Sequence, residues 1–147
     1  MISLSVKNQQ EAVPLDFQGL KAAARAVLEG EGIASAKVAF AFMDDATIHL
    51  LNKRHLQHDE PTDVLTFPYT APDAKRLEGD IAIGAEVGKR QAEERGHDVH
   101  AELCLYVIHG CLHLCGYDDK DSRSAADMRV KEREYLMKLG LPDITDG

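Results

Sequence analysis

From Ile2 onward the chain alternates apolar and polar side chains, Ile2, Leu4 and Val6 against Ser3, Ser5 and Lys7, the period of a half-buried strand. A helical period replaces it over residues 15–29, where Leu20, Ala24, Val27 and Leu28 recur among Ala-rich filler, and Gly30 and Gly32 close the run. Alternation returns over residues 37–43, with Val38, Phe40 and Phe42 on one side. Asp44 is placed to cap a helix over 45–56, whose apolar stripe includes Ile48 and Leu51. Pro61 interrupts the chain, and residues 64–67 form a β-prone run closed by Pro68. Residues 71–78 read as a polar loop, and 79–84, with Ile81 and Ile83, as a further strand. Three helices complete the chain: 85–95 stopped by Gly96, 98–115 stopped by Gly116, and 124–139 followed by Gly140. The middle one is the most apolar element. Leu103 and Val107 point one way and Cys104, Ile108, Cys111 and Cys115 cover an adjoining stripe, so it is expected to be central and buried.

These elements predict one α+β domain over residues 1–142, three-layer-like, with a small mixed β-sheet of about four strands packed with about five helices. The acidic tail, residues 143–147, is expected to be disordered. A length of 147 residues is enough to bury a core without covalent staples. The chain is 44% hydrophobic and 29% charged, the balance of a soluble globular protein. Its N-terminus lacks the apolar core of a signal peptide, and no apolar run approaches the roughly 20 residues that cross a bilayer. A cytoplasmic protein without membrane partners is therefore expected. Three cysteines are an odd number, which argues against a disulfide framework and for small buried hydrophobes. The formal net charge of −8 by itself favours a small-molecule or protein partner over nucleic acid, although a local basic patch can sit on an acidic protein.

The chemistry concentrates on the apolar helix. His109 and His113 stand four residues apart, so both imidazoles project from one face about one turn apart. Gly116 permits a left-handed turn that reverses the chain and returns Asp119 toward them. Two ring nitrogens and a carboxylate form a three-ligand set for one Zn²⁺ per chain, or another divalent transition metal, and leave a fourth position for water. The spacing H-x-x-x-H-x-x-G-x-x-D follows the extended zincin pattern with one change: Gly110 stands where zinc proteases place their catalytic Glu. The metal geometry is kept and the usual base for peptide hydrolysis is not.

Residues 109–119, HGCLHLCGYDD, closely resemble the signature of the YbeY family of bacterial endoribonucleases and rRNA maturation factors. Two further segments agree with that family: Leu51-Asn52 followed by PTDVLTFP at 61–68, and GDIAI at 79–83. The resemblance runs in order from about Val38 to Leu139. It implies a single α+β domain with a zincin-like metal helix, metal-dependent cleavage of single-stranded RNA, and a role in rRNA processing and ribosome maturation. The implied partners are rRNA and ribosomal proteins of the small subunit. The signature ends in a third His where this chain has Asp119, a carboxylate that still binds zinc but adds negative charge. The family also carries an Arg where Leu56 stands. Lys53, one turn earlier on the same face, is expected to replace part of that cation's role, while Arg54 should point elsewhere. His55, His58 and the pair Lys53-Arg54 make a modest cationic patch, and Thr62-Asp63 either orients substrate or caps the turn after Pro61. No general base is identified. A second reading keeps the metal as structural and makes the chain a non-catalytic ribosome-assembly factor. A third, on the metal site alone, is a zinc hydrolase of small esters or amides.

Overall fold

The computed structural model describes residues 1–56 and 63–145. Pro61, Thr62, His58 and the side chains of His55 and Leu56 lie outside them. Four strands, β1 (Ile2–Gln9), β2 (Ser35–Met43), β3 (Val64–Pro68) and β4 (Arg76–Gly84), form one sheet in the order β1-β2-β4-β3. β1 and β4 flank β2 in parallel, and β3 runs antiparallel on the edge beside β4. The helices are α1 (Phe17–Gly30), α2 (Asp45–Leu56), α3 (Ala85–Arg95), α4 (Val99–Leu114) and α5 (Ser122–Lys138).

Pleat parity sorts the layers. Val38, Phe40 and Phe42 pair with Gly79, Ile81 and Ile83, so their side chains share one face. That face meets α1 and α4 in the main core, with Leu28, Leu103, Val107, Ile108 and Leu112 fully buried. Ala82 and Leu65 point the other way and are covered by Ile48 of α2. Helices thus lie on both faces, the three-layer α+β arrangement expected from the periodicity.

Two expectations need correction. β4 begins at Arg76, because residues 76–78 continue the parallel ladder to Ser35, Ala36 and Lys37 and are not loop. Leu77, buried at 1% exposure, is the residue that holds this extension in the core. The tail is packed where the structure describes it. Ile144 is 2% exposed, and Arg129 and Arg133 of α5 donate to the Thr145 carbonyl (2.6 Å) and hydroxyl (2.9 Å). An isoleucine buried among acidic residues was the missed signal.

Candidate metal centre

α4 is set by its N-cap and its burial. Asp98 accepts from the Ala101 amide, and twelve of the sixteen helical residues are buried, so the helix is a rigid rod in the centre of the fold. The exceptions include His109 and His113, each about one quarter exposed, with His109 facing Glu132 of α5 across the cleft. Gly110 explains why the helix can lie so close to the sheet. A Cβ there would stand 3.0 Å from Ile81 and 3.3 Å from Val64, so this position faces the sheet and a larger side chain would point away from the histidines. The glycine in the zincin-like pattern therefore serves packing.

After α4, Gly116 adopts φ +104°, and the amides of Gly116 and Tyr117 donate back to the carbonyls of His113 and Leu112, each at 3.0 Å. This reversal returns Asp119 over the two rings. The Nε2 atoms of His109 and His113 are 3.0 Å apart; Asp119 Oδ2 lies 3.7 Å from the first and Oδ1 4.0 Å from the second. Ligand atoms around a tetrahedral ion with bonds of ~2.0 Å sit roughly 3.3 Å apart. One donor atom from each of the three residues lies within 4.8 Å of the other two, close enough to gather round one ion after a small adjustment. Among the described residues this is the one His/Cys/Asp/Glu group whose ligand atoms converge in this way. The donor set fits a divalent transition metal.

Sequence reasoning missed Glu132. Its carboxylate, 8% exposed, accepts from His109 Nδ1 at 2.8 Å. A carboxylate can only accept, so the ring proton resides on Nδ1 and the Nε2 lone pair is aimed at His113 and Asp119. The available signal was a Glu on the buried stripe of an amphipathic helix, between Met128 and Tyr135. Burial pulls the His109 pKa down, but the Glu132 hydrogen bond and charge, with Asp63 and Asp119, outweigh it and leave it raised. For His113, burial and the neighbouring His109 win, and its pKa is lowered.

A further carboxylate steadies the reversal from outside. Glu31, at the end of α1, accepts from Tyr117 (2.8 Å) and from Tyr135, with Lys131 at 3.6 Å. It ties the loop carrying Asp119 to α1 and α5.

The metal side of α4 opens on a cavity of about 760 Å³ shared by His109, Asp119, Glu132, Asp63, Arg95 and Arg129. Lys53 and Arg54 are exposed on α2 and do not line it. Asp63 does, its carboxylate held by the Val64 amide at 2.8 Å. The cysteines behave as hydrophobes. Burial pushes the Cys104 thiol up to about 12, Cys115 to about 11 and Cys111 upward as well, so none offers a thiolate near neutral pH.

The family model described as Endoribonuclease YbeY matches residues 5–140. A protein named Endoribonuclease YbeY from Pelotomaculum thermopropionicum is 39% identical over 146 residues, covering 92% of this chain and 96% of its own length. One of the same name from Moorella thermoacetica is 37% identical, covering 93% and 97%. The solution structure of a Thermotoga maritima protein superposes with a TM-score of 0.68 at 28% identity, over 95% of this chain and 89% of that one. A match over nearly the whole chain, containing the histidine helix and its reversal, means that the chain belongs to the YbeY endoribonuclease family.

Proposed function

We propose that the chain is a metal-dependent endoribonuclease that cleaves single-stranded RNA in the cytoplasm, acting on rRNA during ribosome maturation beside small-subunit proteins. The observation that carries this reading is the convergence of His109, His113 and Asp119 on one point, with Glu132 fixing the His109 tautomer behind them. His109, His113 and Asp119 would hold the ion, zinc being the best fit to two imidazoles and a carboxylate. When bound, such an ion supplies Lewis acidity at a phosphodiester oxygen. The protein's own part is positional. α4 fixes two ligands on a buried rod, the Gly116 reversal adds the third, and the cavity beside them admits a nucleotide-sized group. Lys53 and Arg54, outside the cavity, would meet only the flanking RNA. Among the described residues no helix is long and apolar enough to cross a membrane.

A non-catalytic assembly factor with a structural metal is the second reading, favoured by the net charge of −8 and by the carboxylates of Asp63, Glu102, Asp119 and Glu132 around the cavity. Metal analysis combined with cleavage of a labelled single-stranded RNA separates the two. Cleavage that disappears with the metal in His113→Ala supports the enzyme. A metal-loaded protein that binds rRNA and leaves it intact supports the assembly factor.

A further inference from the structure

A phosphodiester entering the cavity beside the metal triad meets a surface lined by four carboxylates and two guanidinium groups. The acidic groups are largely committed. Asp119 belongs to the triad, Glu132 is bonded to His109, and Asp63 accepts from the Val64 amide. Glu102 is buried at 1% exposure, accepts from Tyr106 and lies 3.7 Å from Arg95. That pair cancels its own charge, so Arg95 presents little net field to a ligand.

Arg129 differs. Its Nη1 donates at 2.6 Å to the backbone carbonyl of Thr145, a neutral acceptor. Among the described residues no carboxylate lies within 4.0 Å of it. Among the described residues its positive charge therefore has no ion-pair partner at the cavity wall. A guanidinium carries five N–H donors in a planar fork, and one carbonyl leaves most of them available for two oxygens of one phosphate. The carbonyl also reduces the freedom of the side chain before any ligand arrives, which lowers the ordering cost of binding. Thr145 is itself held, its hydroxyl accepting from Arg133. Arg129 sits three residues before Glu132 on α5, so the cation and the carboxylate that orients His109 share one rigid support.

We infer that Arg129 is the phosphate-binding residue of the metal cavity, gripping non-bridging oxygens of a single-stranded RNA phosphodiester beside the His109–His113–Asp119 triad. The inference rests on the endoribonuclease reading for its ligand and adds the cation that the acidic cavity requires.

The test is the salt dependence of binding. Metal-loaded wild type, Arg129→Ala, Arg129→Lys and Arg25→Ala, the last removing the same charge from α1, are titrated against a fluorescent 2′-O-methyl single-stranded RNA, and the metal content of each is measured. Arg129→Ala is expected to weaken binding about tenfold and to reduce the slope of log K against log salt by about 0.7, one phosphate contact on a single strand. Metal content stays at the wild-type level, Arg129→Lys recovers the slope with part of the affinity, and Arg25→Ala binds as wild type does. A wild-type slope in Arg129→Ala, an equal loss in Arg25→Ala, or loss of metal from Arg129→Ala would each overturn the assignment while leaving the endoribonuclease reading intact. Failure of the wild type to bind the RNA at all would remove both.

Discussion

α4 carries a histidine-containing cluster at each end, and in only one do the donor atoms converge as a metal ion would require. Near its N-terminus His100 Nε2 lies 3.4 Å from Cys104 Sγ, with Asp16 Oδ2 at 4.0 Å. At its C-terminal end His109 and His113 meet Asp119 at similar distances. Residue types and spacing alone barely separate an i, i+4 His–Cys pair with a carboxylate from an i, i+4 His–His pair with a carboxylate. Commitment of the donors does. Cys104 is buried and its thiol is pushed up to about 12, and the other oxygen of Asp16 caps α1 through the Gly19 amide at 3.0 Å. At the other end the facing nitrogens and the Asp119 carboxylate meet one another, and Glu132 turns the Nε2 of His109 inward. A ligand site requires that its atoms have no prior employment and that something behind them fixes their direction.

Substitutions can be ranked by how sharply they test this contrast. Removing a ligand has the largest effect. His113→Ala should lower metal affinity by at least about a hundredfold, a loss of roughly 3 kcal/mol per ligand, while His100→Ala leaves it unchanged, as read by chelator competition. Equal losses from both would erase the distinction. The supporting carboxylate comes next. Glu132→Ala is expected to cost ten- to a hundredfold in metal affinity, with Glu132→Gln milder because its amide oxygen still accepts from Nδ1. The two aspartates should separate stability from affinity. Asp16→Ala should destabilise the fold by about 1 kcal/mol through loss of the cap and leave metal binding alone. Asp119→Ala, exposed and without a capping role, should weaken the metal and barely move the denaturation midpoint.

The smallest effect is at Glu31. Burial raises its pKa, but hydrogen bonds from Tyr135 and Tyr117 and the charge of Lys131 outweigh this and leave it below the ordinary 4.5. A carboxylate depressed in the folded state stabilises the fold above its unfolded value and loses that contribution as pH falls through the folded one. Below about pH 4.5 the wild type should therefore lose stability more steeply than Glu31→Gln, in urea melts across the acid range. Parallel pH profiles would sink the idea that this residue holds the Asp119 loop by charge.

Much of this was legible in the sequence because local rules governed it. Alternation at Val38, Phe40 and Phe42 set a strand, Asp44 capped α2, and Gly116 took the left-handed conformation that turns the chain back. The convergence of His109, His113 and Asp119 followed from helical spacing plus one turn. Glu132 and Glu31 did not, since each meets its partners across 23 to 104 residues of chain, where periodicity carries no information. The role of Gly110 was also hidden. It is visible only once Ile81 and Val64 are beneath it, and filling that contact with Gly110→Ala should cost about 1–3 kcal/mol.

The strand order carries a consequence for the order of assembly. β2 and β4 pair in parallel across α2 and β3, and the last strand ends at Gly84, before any metal ligand has been synthesised. A chain emerging from its N-terminus can therefore close the whole sheet while α4 and α5 are still to come. His109, His113, Asp119 and Glu132 are brought together only when α4 and α5 pack onto that sheet and complete its core face. Parallel pairing of distant strands is the slow kind of contact to form, and it requires none of the metal-site residues. Metal should accordingly slow unfolding far more than it speeds folding.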